Sequence, residues 1–341
     1  ALAVFGLGRG FAGQEPAGGW GGGGSGSGAS DAVGGGAGCG VTSGFRVSGL
    51  RVEVSGVGGP ALVEDVGLRV GPGEVVAVAG ASGSGKSLTA QGILDVLPRG
   101  VERTAGRLEL DGAAVSGRSA RGRLISMVFQ DPATSLNPTM RVGRQIGEAT
   151  GERSRRGRRG RVAALLSSVR VDAARASAYP HELSGGMQQR VMIAAAVAAS
   201  PRLLLADECT TALDVVTQRH ILDLLDTLRR ERSMGVLLIT HDLGVVAERA
   251  DRMQVMDDGV VVEEGPVSSV LSGPRHPATR RLLAARPRLE GGFERAASAP
   301  GVLRCVETGA AVRPAGRAGR LFALGGAHRV RGVPESRPKI G

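Results

Sequence analysis

Val75-Val76-Ala77-Val78-Ala79-Gly80-Ala81-Ser82-Gly83-Ser84-Gly85-Lys86-Ser87 decides the fold. Five apolar residues in succession read as a strand covered on both faces. A loop of glycine and serine follows, and Ser87 to Leu97 reads as a helix stopped by Pro98 and Gly100. The N–H groups of such a loop, set at a helix N-terminus, form a cradle for phosphate oxygens. Lys86 is one of two lysines among 341 residues, the other being Lys339, and arginine carries positive charge elsewhere. A slim ammonium reaches the terminal phosphates of a triphosphate, and a planar guanidinium does not fit the same cradle.

Outward from this stretch, strands alternate with helices. Residues 46–54 and 62–70 alternate apolar and polar, as half-buried strands do, and Gly71-Pro72-Gly73 is a turn. Ile125–Phe129, Leu203–Ala206 and Val236–Thr240 are short apolar runs that read as strands. Gln188–Ala199 and Thr217–Arg230 read as helices. Residues 139–172 have helical character, with Val162 to Leu166 and Val169 on one face and the preceding arginine cluster as a solvated loop. The pattern predicts an α/β fold with a parallel sheet covered on both faces and a helical insertion at about 139–199. Residues 1–44, glycine-rich around Trp20-Gly21-Gly22-Gly23-Gly24-Ser25, read as disordered. The basic stretch 291–341 reads as a poorly structured tail.

The net charge of +11 invites a nucleic-acid reading. The excess sits largely in Arg153–Arg161 and after Arg295, and aromatics are only 2%, leaving little on which bases could stack. No nucleic-acid partner is expected, and an anionic membrane surface suits the arginine cluster better. Cys39, Cys209 and Cys305 form no CxxC pair, which fits a reducing compartment and argues against a zinc site. No run of 18 apolar residues is found, and no signal peptide is read at Ala1–Phe5.

Ser87 would place its hydroxyl on Mg²⁺. Asp207-Glu208 ends an apolar strand, where one acid can hold Mg²⁺ through water and the other can polarise an attacking water. His241 follows the next buried strand, where a lone histidine is either structural or a contact to a γ-phosphate, and Gln130 stands where another strand stops, which by itself means little. Ser184-Gly185-Gly186, opening a helix, is a second anion site. Two such sites in one chain suggest a nucleotide shared between two chains.

The motifs in order are Gly80–Ser87 (GASGSGKS), Val128–Pro138 (VFQDPATSLNP), Tyr179–Val191 (YPHELSGGMQQRV), Leu203–Glu208 (LLLADE), Thr211–Asp214 (TALD) and Leu238–Asp242 (LITHD). They resemble the ATP-binding subunits of ABC transporters, and within them the dipeptide, oligopeptide and nickel importer group. FQDPATSLNPTMRVGRQI and HPATRRLLAARP (276–287) carry the narrower resemblance, and residues 45–290 are covered.

The resemblance implies a P-loop NTPase fold of the ABC ATPase type, with a mostly parallel sheet core, an antiparallel β edge and a helical subdomain. It implies two subunits closing head to tail, homo- or heterodimeric, with ATP and Mg²⁺ between them. Gly80, Ala81, Ser82, Gly83, Ser84, Gly85, Lys86 and Ser87 of one chain and Ser184, Gly185 and Gly186 of the other would clasp each nucleotide. Ser87, Gln130 and Asp207 would organise Mg²⁺, Glu208 would act as base, and His241 would hold the γ-phosphate and the attacking water. Asp214 would couple the two sites. The segment after Gln130 would contact one of two transmembrane permease subunits, fed indirectly by an extracytoplasmic solute-binding protein. The chain would lie peripherally on the cytoplasmic face of the membrane and drive uptake of peptides, nickel or a similar small solute.

Cys209 stands where the family usually has Pro, so the turn after Glu208 loses that source of rigidity. Val54 lies near the place of the usual adenine-stacking aromatic, and Ala278 near that of a common tyrosine. Two other readings compete. A catalytically degenerate regulatory subunit is disfavoured because no catalytic residue is missing. A soluble ABC-type ATPase acting on nucleic acid is disfavoured because one set of motifs is present.

Overall fold

A computed structural model describes residues 43–56, 58–211 and 213–285. In chain order the strands are β1 (Phe45–Val54), β2 (Ala61–Val70), β3 (Val75–Gly80), β4 (Val101–Leu110), β5 (Ala113–Val115), β6 (Ile125–Val128), β7 (Leu203–Asp207), β8 (Gly235–Ile239), β9 (Arg252–Asp257) and β10 (Val260–Pro266). The helices are α1 (Lys86–Leu94), α2 (Gly117–Ala120), α3 (Pro132–Ser135), α4 (Val142–Ala149), α5 (Arg155–Ser168), α6 (Gly185–Ala196), α7 (Val215–Arg232), α8 (Leu243–Arg249), α9 (Val267–Ser272) and α10 (Pro277–Ala284).

Two sheets organise the chain. A six-stranded sheet has the order β10-β9-β3-β8-β7-β6, parallel except for the β10–β9 pair. A four-stranded antiparallel sheet has the order β2-β1-β4-β5. β3, β7 and β8 are buried along their whole length. Their side chains alternate between faces. Leu203, Leu205, Leu237 and Ile239 join the core under α1, with Ala90, Ile93 and Leu94. Leu204, Ala206, Val236 and Leu238 join the core formed with α4–α7. Unbroken apolar runs are what a strand needs when both faces are covered.

Several local expectations are corrected. The first helix ends at Leu94 rather than Leu97, because Asp95 takes a left-handed conformation (φ 56°) and its N–H caps the Gln91 and Gly92 carbonyls. The arginine cluster is not a loop. Ser154 caps α5 by accepting the Gly157 N–H, and Arg155–Arg161 form its first turns. Arginine is a good helix former, although no acid complements the helix dipole there. The expected apolar face holds through Val162, Leu165, Leu166 and Val169, all buried, whereas Ala164 is exposed. α6 begins at Gly185 rather than Gln188.

Strands β4–β5 and β9–β10 have no counterpart among the strands read from the sequence. β4 is mostly exposed along Glu102–Arg107 and is held by its antiparallel pairing with β1, a long-range partner its own pattern does not announce. Between β6 and β7 only helical segments and loops occur among the described residues. Most of the expected disordered stretch 1–44, and all of the tail 291–341, lie outside the described residues.

Candidate active site

Gly80–Ser87 runs from the end of β3 into α1. Gly80 sits where a Cβ would collide with the Met256 carbonyl oxygen. Gly85 is left-handed (φ 95°), and a Cβ there would lie 3.1 Å from the Leu62 carbonyl oxygen. Lys86, only 5% exposed, opens α1. Its ammonium donates to the carbonyls of Gly80 (3.0 Å) and Ala81 (2.7 Å) and to Ser84 Oγ (3.4 Å), so Nζ lies inside the loop. Burial lowers its pKa, and the Glu208 and Asp207 charges oppose that shift.

The Ser87 hydroxyl donates to Asp207 Oδ1 at 2.9 Å. Asp207 is the last residue of β7 and is buried. Burial raises its carboxyl pKa against the Ser87 hydrogen bond and the Lys86 charge, with Glu208 adding to the rise.

Glu208 turns the chain off β7 in a left-handed conformation (φ 42°), a strained one for a side chain with a Cβ. Its N–H donates to the Ile239 carbonyl at the end of β8 (2.9 Å). Its Oε2 accepts from Gln130 Nε2 (3.2 Å) and Thr211 Oγ1 (3.4 Å), and Oε1 lies 3.3 Å from His241 Nδ1. Thus Gln130, Asp207, Glu208 and His241 all come from the carboxyl ends of parallel strands or just beyond, beside the loop that holds Lys86 and Ser87. Such ends are where open α/β sheets bind ligands.

This donor set is hard oxygen and amide. Among the described residues no group of three or more His, Cys, Asp or Glu side chains forms a metal cage. One hydroxyl and one or two carboxylates suit Mg²⁺, which keeps waters and takes further ligands from phosphates.

The structure brings Ser184–Gly186 to a different neighbourhood. Ser184 holds the N-cap position of α6, yet its hydroxyl makes no capping hydrogen bond, and Ser184 and Gly185 are exposed. A Cβ on Gly186 would meet Thr217 Cγ2 at 3.2 Å, which sets this turn against the start of α7. There Asp214 caps α7, accepting the N–H groups of Val216 (3.1 Å) and Thr217 (3.0 Å). These bonds, Thr217 foremost, hold its carboxyl below the usual range. Val215 and Val216 beside it are 81% and 65% exposed. Val54 is 36% exposed at the end of β1, an open aliphatic rather than aromatic surface.

Two residues stand in the quoted motifs but received no role from the sequence. Thr211 touches the Glu208 carboxylate. Gln189, fully buried in α6, donates to the Cys209 carbonyl at 2.6 Å. The signal for Gln189 was a polar residue at a position the helix buries.

A family model described as ABC transporter matches residues 63–211. A putative peptide import ATP-binding protein of Brucella abortus is 45% identical over 270 residues, covering 75% of this chain and 81% of that protein. The nickel import ATP-binding protein NikD of Rhodospirillum rubrum is 44% identical over 252 residues, covering 73% and 97%. The peptidoglycan transport ATP-binding protein YejF of Agrobacterium fabrum is 48% identical over 244 residues; the match covers 67% of this chain and spans 44% of that protein's length. Among solved structures, the cbiO1 protein of Clostridium perfringens, part of an ABC transporter complex, aligns at a TM-score of 0.58 and 26% identity. That alignment covers 67% of this chain and 90% of cbiO1. A dimeric ATP-binding cassette in a post-hydrolysis state with ADP and Pi aligns at 0.57 and 30% identity, covering 65% and 98%. With the glycine-rich loop, the strand-end acids and these relatives in agreement, the chain belongs to the ABC transporter family, as an ATP-binding subunit of the kind whose ATP hydrolysis is coupled to transport.

Proposed function

We propose that this chain energises an importer of peptides or a similar small solute, nickel included, by hydrolysing MgATP at the seam between two ATPase subunits. The observation that carries the reading is the Glu208 carboxylate. It sits between Gln130 Nε2 and His241 Nδ1 at the end of β7, next to the Ser87–Asp207 pair and the Lys86 loop.

In this reading the N–H groups of residues 80–87 and the Lys86 ammonium take the β- and γ-phosphates. Ser87, Asp207 and Gln130 would hold Mg²⁺, which neutralises phosphate charge. Glu208 orients the attacking water and draws on its proton, while His241 braces the Glu208 carboxylate and faces the γ-phosphate. Water placement and charge stabilisation account for most of the catalysis in such a transfer.

The Ser184 turn of a second subunit completes the site. Its support is the exposed Ser184 hydroxyl, unused by its own helix, and the exposed Val215 and Val216 beside Asp214. Asp214 would couple the two sites across that seam. The segment after Gln130 would meet one of two permease subunits, with an extracytoplasmic solute-binding protein upstream. No described helix is long and apolar enough to cross a membrane, which fits a peripheral place on its cytoplasmic face.

The test is steady-state MgATP hydrolysis by the full chain and its Glu208→Gln variant, with nucleotide binding measured in parallel. The variant is expected to bind ATP and lose turnover by about 100-fold or more. Turnover at the wild-type rate would remove Glu208 from the role.

A further inference from the structure

Glu208 is held by more than the groups around its carboxylate. On its amino side, its N–H is fastened to the Ile239 carbonyl of β8. On its carboxyl side, the next carbonyl, that of Cys209, accepts the Gln189 amide at 2.6 Å. Gln189 is 1% exposed, and the nearby Val191, Met192 and Ile193 of α6 are buried and apolar. An amide in such surroundings is tolerable only when hydrogen-bonded. The backbone around a strained Glu208 (φ 42°) is thus pinned by a strand on one side and by α6 on the other. The first residues of α6 are the Gly185-Gly186 pair that follows Ser184, one turn from Gln189.

Cys209 makes this bond matter. A proline would fix φ at this position near −65° by its ring. Cysteine leaves φ free, and no hydrogen bond of its buried side chain to another residue holds the turn among those the structure describes. Beyond the short turn closed by the Thr211 N–H on the Glu208 carbonyl (3.2 Å), the Gln189 amide is the restraint that ties this segment to α6.

We propose that Gln189 is a positioning residue: by holding the Cys209 carbonyl it sets the angle of the Glu208 carboxylate, and it ties that angle to the position of the Ser184 end of α6. This rests on the reading of Glu208 as the water-orienting base. A subunit whose α6 is drawn toward the nucleotide of its partner thereby adjusts the base at its own nucleotide, which is a mechanical link between the two sites.

The experiment compares the full chain with Gln189→Leu, Cys209→Pro and the double variant, reading kcat and KM for MgATP together with melting temperature. Gln189→Leu is expected to lower kcat about 10- to 100-fold, the scale of a small misplacement of a reacting group, with KM changed less than about twofold. Adding Cys209→Pro is expected to restore most of that kcat, because a second restraint replaces the lost one. Should Gln189→Leu not fold, Gln189→Asn, which keeps an amide on a shorter stem, is read in its place. A wild-type kcat in the single variant, a parallel change in KM and kcat, or a double variant no faster than the single one each overturns the proposal. Glu208→Gln is run alongside. If it keeps turnover, the reading of Glu208 has failed; if it is inactive while Gln189→Leu is fully active, only the link through Gln189 has failed.

Discussion

Ser87 and Asp207, 120 residues apart in the chain, meet through a 2.9 Å hydrogen bond from the hydroxyl to the carboxylate. The bond joins the helix after the phosphate loop to the end of β7, and β8 lies between β7 and β3 in the sheet. It places the two expected Mg²⁺ ligands side by side.

The raised pKa of Asp207 gives a pH dependence. Burial favours its protonated form, so Asp207 takes up a proton at a higher pH than an ordinary carboxylate. Mg²⁺ needs the ionised form. The Mg²⁺-dependent gain in ATP affinity should therefore decline, as pH falls, before the ordinary carboxylate range is reached. Titration of ATP affinity with and without Mg²⁺ measures it, and Asp207→Asn should abolish the gain at every pH. The sign for folding is opposite. An acid with a raised folded-state pKa disfavours the fold above that pKa, and the penalty is relieved as pH drops through it.

Lys86→Arg should cost at least about tenfold in ATP affinity, and so should Lys86→Ala. The ammonium is buried against the Gly80 and Ala81 carbonyls, and a planar guanidinium is too broad for that space. Equilibrium binding of a fluorescent ATP analogue reads the loss, and an arginine variant that binds as the wild type does would refute this account of the loop.

Gly85→Ala should destabilise the fold by about 1–3 kcal/mol, the scale of one strained backbone residue. Its φ of 95° is left-handed, and the added Cβ would press on the Leu62 carbonyl at 3.1 Å. Thermal or urea unfolding reports the change. Gly160→Ala, where a Cβ meets nothing within 4 Å, is the matched control and should be neutral or better.

His241→Ala should lower kcat by about 100-fold with ATP binding retained, since its Nδ1 lies 3.3 Å from Glu208 Oε1 and no described phosphate-loop bond depends on it. Single-turnover hydrolysis separates the chemical step from nucleotide exchange.

Cys209 should resist alkylation in the folded chain. It is 2% exposed and burial pushes its thiol up to about 12, so thiolate is scarce at pH 8. Mass spectrometry after iodoacetamide treatment should find it modified only when the chain is unfolded.

The sequence by itself determined the glycine-rich loop between a strand and a helix and the buried strands β3, β7 and β8, and it named Gln130, Asp207, Glu208 and His241, which the fold gathers at the strand ends beside that loop. These are local signals: a run of glycine and serine after an apolar strand, one of the chain's two lysines placed inside it, and apolar runs that doubly covered strands require. Tertiary structure alone decided that β4 is a strand, since its charged face is held by β1, and that the arginines of α5 are helical, since the buried Val162–Val169 face anchors them. It also decided that Gln189 reaches the turn beyond Glu208 and that Ser184–Gly186 sits against α7. Those contacts join residues far apart in the chain, and a pattern read along one segment carries no term for a partner that only folding brings near.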